Sequence, residues 1–79
     1  MEKVKVLMEE IVNDRTVPRN IREAVKSALD CLSEDKELAV KIDSAIQILE
    51  EISNDLNMPI YTRTQIWNII SALEEAQNI

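Results

Sequence analysis

The sequence predicts an all-α domain, a four-helix bundle built from two tandem αα-hairpins. Three observations carry this expectation. The 79-residue chain contains no glycine and is rich in Leu, Ile, Ala, Glu and Lys. Tight β-hairpins depend on glycine for positive φ, so this composition disfavours them and favours helix. Apolar residues recur at spacings of three and four along most of the chain, which is helical periodicity. Finally, one stretch occurs twice: Glu9-Glu10-Ile11 through Asn13-Asp14, Pro18 and Arg22 returns as Glu50-Glu51-Ile52 through Asn54-Asp55, Pro59 and Arg63, offset by 41 positions without a gap.

The first helix is expected over about 2–13. Val4, Leu7, Met8 and Ile11 form its apolar stripe, Val12 widens it, and Lys3, Lys5, Glu9 and Glu10 fall largely on the other side. Asn13-Asp14 is expected to close it with a left-handed residue, which Asn and Asp tolerate. Pro18 marks the next start, because its fixed φ suits a first turn and its missing N–H has no partner there anyway. A capping box from Asn20 and Glu23 is an alternative, slightly later start. Ile21, Ala24, Val25, Ala28, Leu29 and Leu32 carry this second helix to about 32.

Ser33 is expected to cap the third helix, with Glu34, Asp35 and Glu37 in its first turn, where the helix dipole favours acids. Leu38, Ile42, Ala45, Ile46, Leu49 and Ile52 extend it to about 54, which makes it the longest of the four. The fourth begins near Pro59, or at a cap formed by Thr62 and Gln65, and buries Ile66, Ile69, Ile70 and Leu73, with fraying over 76–79. No linker or low-complexity stretch divides residues 1–79, so one domain is expected, with the repeat covering 8–32 and 49–73. The period matches the roughly 40–47 residues of HEAT and armadillo units, so a short open solenoid is the alternative. Two such units would leave both end faces bare, whereas a closed bundle buries them.

Small size leaves little stability to spare, about 3–5 kcal/mol for a core of this kind, so a partner or a second copy would help. The formal net charge of −6 repels phosphate backbones and anionic membranes. Cations are nevertheless concentrated early: only Lys41 and Arg63 lie beyond residue 40. A single cysteine, Cys31, forms no internal disulfide and suits a reducing cytosol. No apolar run has the length of a signal peptide or a membrane span, so a cytoplasmic protein is expected.

Chemistry is bounded by absences. No histidine is present, which removes the usual Ser-His-Asp and Cys-His catalysis and the Glu-x-x-His ligands of di-iron bundles. The lack of glycine leaves no phosphate-cradling loop. No enzyme activity, cofactor or metal is expected. Adjacent pairs such as Glu9-Glu10, Glu50-Glu51 and Glu74-Glu75 point about 100° apart on a helix and read as solvated surface rather than acid–base dyads.

Candidate binding residues are few. Arg22 and Arg63 each follow their proline by four residues, and from there a guanidinium reaches the Asp or the carbonyls that end the preceding helix. Bracing of Arg22 to Asp14 and Arg63 to Asp55 is preferred over a binding role. Arg15, Arg19, Arg22 and Lys26 follow at helical spacing, with Arg19, Arg22 and Lys26 lining one face if the helix extends that far, and form a cationic patch for an acidic peptide or an RNA phosphate, against a bland reading in which Arg19 pairs with Glu23. Tyr61 and Trp67 are the only aromatics. Trp67 sits at the edge of its stripe and reads equally as core filler or partner contact. Cys31 borders the second stripe and reads as an inert apolar residue.

Three segments carry a resemblance: Val17-Pro18-Arg19-Asn20-Ile21-Arg22, Ile52-Ser53-Asn54-Asp55-Leu56-Asn57-Met58-Pro59 and Arg63-Thr64-Gln65-Ile66-Trp67. Together they resemble a small archaeal family known only as uncharacterised protein family 0147. The resemblance spans nearly the whole chain, with Leu56 standing where many relatives are expected to carry Pro. It implies a cytosolic all-helical domain and assigns no catalytic residue. Function is therefore expected to be a non-enzymatic interaction or self-association through helix faces, with an RNA- or ribosome-associated role for the cationic face as the alternative. The functional surface is expected where the two copies differ: Arg19-Asn20 against Ile60-Tyr61, and Lys26 against Trp67.

Overall fold

Four helices form where the apolar periodicity places them. The computed structural model describes residues 1–77, in which α1 spans Glu2–Val12, α2 Arg19–Leu32, α3 Leu38–Ile52 and α4 Ile60–Gln77. Helix α1 packs on α2 and on α4, and α3 packs on the same two, while the diagonal pairs stay apart. The return of α1 onto α4 closes the ring and excludes the open solenoid. A radius of gyration of 11.6 Å agrees with the roughly 12 Å of a compact chain of this length. The widest contact lies between α2 and α3, the seam joining the two copies of the repeat.

Each helix turns its stripe inward. Val4, Met8 and Ile11 come from α1, Ile21, Val25, Ala28 and Leu32 from α2, Ile42, Ala45 and Leu49 from α3, and Ile66, Ile69, Ile70 and Leu73 from α4. Burying one such side chain stabilises by about 1.5–3 kcal/mol, so the core is the main source of stability. Two further core residues, Val17 and Met58, come from the interhelical turns at equivalent repeat positions. The periodicity of the helices gives no hint of them, because each lies between two stripes.

The repeat also places Thr62 where the first copy has Ile21. Both are fully buried, and the Thr62 hydroxyl has no hydrogen-bond partner among the described residues.

Helix boundaries differ from expectation in several places. Ser33 does not cap α3. It ends α2, its N–H bonding Asp30 O at 3.0 Å and its hydroxyl bonding Leu29 O at 3.3 Å. A serine can serve the carbonyl end of one helix as readily as the N–H end of the next, and here the preceding helix takes it. Glu37, extended at ψ 144°, is the residue before α3, so no acid lies in the first turn of that helix. Consequently α4, with 18 residues against 15 in α3, is the longest. Neither capping box forms: Asn20 bonds elsewhere, and Thr62 lies buried inside α4.

No left-handed residue closes α1 either, since Asn13 has φ −93° and ψ 0°. Helix α4 continues through Ala76, which packs on the core, and Gln77, whose amide bonds Asp43. The remainder of the expected fraying, at 78–79, lies outside the described residues.

Candidate functional site

The two interhelical turns are built alike. In the first, Asp14 Oδ1 accepts the Thr16 N–H at 2.9 Å and the Thr16 hydroxyl at 2.6 Å. In the second, Asp55 Oδ1 accepts the Asn57 N–H at 2.8 Å. Each Asp carbonyl then accepts the N–H of the buried turn residue, Val17 at 3.1 Å and Met58 at 3.3 Å. The aspartates thus shape the turn as well as ending the helix.

Contacts between the copies follow the repeat. Tyr61 OH donates to Asp14 Oδ2 at 3.0 Å and lies against the Thr16 hydroxyl. Asn20 Nδ2 donates to Asp55 Oδ2 at 2.7 Å. Asn20 and Tyr61 are equivalent positions, as are Asp14 and Asp55, so each hairpin reaches across and bonds the turn of the other. This reciprocal clasp ties the two turns together at one end of the bundle, and the Gln77–Asp43 bond lies toward the other. The Asp14 carboxyl is held below the usual aspartate value by the Thr16 hydroxyl and N–H, helped by Tyr61 and by the charge of Arg22, against a smaller push from desolvation. Tyr61, a candidate binding residue, therefore spends its hydroxyl inside the molecule.

The two equivalent arginines diverge. Arg63 Nη2 bonds the Asp55 carbonyl at 3.0 Å, so it braces its hairpin through the backbone rather than through the expected carboxylate pair. Arg22 makes no ion pair with Asp14. Its Nε is shut off from solvent and bonds nothing among the described residues. Arg22, Arg19 and Lys26 line an open groove of about 180 Å³ with Glu23 and Val12, between the end of α1 and the start of α2. Arg19 Nε pairs with Glu23 Oε1 at 3.0 Å, an exposed contact worth about 0–1 kcal/mol. Three of the four expected cations converge here. Arg15 does not join them: it is exposed in the turn, because the helix begins only at Arg19.

On α4 the corresponding positions are apolar. Ile60 matches Arg19 and Trp67 matches Lys26. Trp67 is 55% exposed and Ile60 85%, two turns apart on one helix face, and Leu56 in the preceding turn is 94% exposed. Trp67 is thus surface rather than core, although periodicity alone left both readings open. The exposure of Leu56 had no sequence signal beyond its place between Asp55 and Pro59. Cys31 is half-buried, and burial, reinforced by Glu34, pushes its thiol up, away from the reactive thiolate. Among the described residues, no helix is long and apolar enough to cross a membrane.

These features define a class: a closed four-helix bundle of two repeated hairpins, clasped turn to turn, with the same surface position cationic in one copy and apolar in the other. A family model described as Uncharacterised protein family (UPF0147) matches residues 1–76, and the chain belongs to that family. A UPF0147 protein of Methanocaldococcus jannaschii is 53% identical over 75 residues, covering 94% of this chain and 81% of the relative. One from Pyrococcus abyssi is 52% identical over 73 residues, covering 91% and 85%. Two crystal structures share the fold. A protein of unknown function, MMP1188, superposes with a TM-score of 0.91 at 53% identity, covering 92% of this chain and 84% of that one. A UPF0147 protein from Thermoplasma acidophilum gives 0.90 at 33% identity, covering 94% and 88%. The family is described as uncharacterised and MMP1188 as a protein of unknown function.

Proposed function

We propose that this protein is a non-enzymatic interaction module that docks a partner protein through the apolar strip of Leu56, Ile60 and Trp67. The observation that carries this reading is the exposure of these large side chains, at 94, 85 and 55% respectively. Covering a tryptophan removes a large apolar surface from water, and truncating such an anchor typically costs about 2 kcal/mol of binding or more. A non-catalytic role is supported by the sequence, which lacks histidine and glycine and so lacks the common acid–base and phosphate-binding devices. The single cysteine supports a cytosolic setting.

Affinity purification from native lysate tests the reading, with the wild-type chain beside Trp67→Ala and Ile60→Ser. Both variants should melt like wild type, since neither side chain is in the core, and both should lose the complex. An unchanged set of recovered partners would refute it. Sedimentation of the purified chain separates the self-associating case, in which the mass of a second copy disappears in the same variants.

A further inference from the structure

We propose that the groove between the end of α1 and the first turns of α2 is a carboxylate-binding site, whose occupant is an Asp or Glu side chain from an acidic segment of a partner protein. The groove lies on the other hairpin from the apolar strip, so the proposal stands without it. Its starting point is Arg22. The equivalent Arg63 is bonded to a carbonyl, but Arg22 Nε is closed off from water and has no acceptor among the described residues. An unmet buried donor costs about 1–3 kcal/mol, and more when charged, which an arriving acceptor would relieve. With no hydrogen bond to the guanidinium among the described residues, a turn of the side chain can present Nε and one Nη together. That fork matches the two oxygens of a carboxylate.

The helix supports the same conclusion. Arg19 and Arg22 lie in the opening turns of α2, where the macrodipole is positive, and no acid stands in the first turn. Cations there are unfavourable unless an anion joins them. Glu23 pairs with Arg19, whereas among the described residues Arg22 and Lys26 make no ion pair, and Asp14 acts on Arg22 only through its field.

Size and charge choose the occupant. At about 180 Å³ the groove is smaller than the roughly 300–1,000 Å³ of small-ligand pockets, and it suits one side chain. Val12 supplies an apolar wall for the methylenes of Glu or Asp. A nucleic acid strand is a poorer fit. Three cations, one already paired, face a chain of net charge −6, whereas tight polyanion binding draws on about 6–10 phosphate contacts.

The test is a titration of the isotope-labelled full chain, followed through the side-chain N–H of Arg22 and the backbone signals of Lys26. The probes are a short blocked oligoglutamate peptide, the matching oligoglutamine peptide, inorganic phosphate and oligouridylate RNA. Oligoglutamate should shift the groove signals to saturation, and oligoglutamine should not. Arg22→Lys keeps the charge but not the fork, and should weaken binding about tenfold, the loss of one charge-assisted hydrogen bond. Lys3→Gln removes a charge elsewhere and should leave affinity within about twofold, as for a distant screened charge. The wild-type titration decides the matter even if a variant fails to fold. Shifts spread alike over Lys3, Lys5 and the groove without saturation would overturn the proposal. So would phosphate or RNA binding there as tightly as oligoglutamate.

Discussion

The two hairpins share a turn and differ in what surrounds it. In the first copy the proline is followed by Arg19, Asn20 and, further on, Lys26; in the second, by Ile60, Tyr61 and Trp67. Asn20 and Tyr61 do the same work with different chemistry, each bonding the opposite aspartate. Arg63 and Arg22 are the reverse case: identical residues with different work, one bonded to a carbonyl and one whose Nε has no acceptor among the described residues. Equivalence in a repeat therefore predicts backbone geometry and core placement well. It predicts side-chain role poorly, because role depends on what the neighbouring copy offers.

The largest effects are expected at the equivalent buried positions Ile21 and Thr62. Ile21→Thr removes buried methyl and methylene groups and buries a hydroxyl, and should cost about 3 kcal/mol, enough to approach the whole stability of so small a domain. Thr62→Val replaces a buried hydroxyl that has no partner among the described residues by a methyl of the same shape and should stabilise by about 1 kcal/mol. Urea unfolding measures both. A Thr62→Val protein less stable than wild type would show that its hydroxyl finds an acceptor.

The clasp gives smaller effects. Tyr61→Phe should cost about 1 kcal/mol by removing its bond to Asp14, and Asn20→Ala a similar or smaller amount. Asp14 also makes the clasp sensitive to acid. Its folded pKa lies below its unfolded one, so its contribution is fully present above the ordinary aspartate value and is lost as pH falls through the folded value. Stability should therefore decline below about pH 4, with a shallower slope in Thr16→Val than in wild type, because Thr16 is the main cause of the depression. Equal slopes in thermal melts across that range would remove Asp14 from the clasp.

Much of this architecture was legible in the sequence. The inward stripes, the offset of 41 and the two prolines were enough for four helices, two hairpins and a single closed core. The convergence of Arg19, Arg22 and Lys26 followed from helical spacing. Other features were not legible, for identifiable reasons. Ser33 carries equal local signals for ending α2 and starting α3, and only the hydrogen bonds decide. Tyr61–Asp14 and Asn20–Asp55 join residues 47 and 35 positions apart, beyond any local pattern. Val17 and Met58 enter the core from turns, where periodicity is silent. The acceptor of Arg63 was foreseen only as one of two choices, and the divergence of Arg22 required the packed structure.

On this proposal the identical arginines of the two copies divide their roles, one bracing the fold and one open to a ligand. Comparing the unfolding free energies of Arg63→Ala and Arg22→Ala tests it directly. Arg63→Ala should lose about 1.5–3 kcal/mol, as expected for a part-buried charge-assisted bond to the Asp55 carbonyl. Arg22→Ala should be as stable as wild type or up to about 1 kcal/mol more stable, since removing an unmet donor outweighs the lost packing of its methylenes. Equal losses in the two variants would show that both arginines brace the fold.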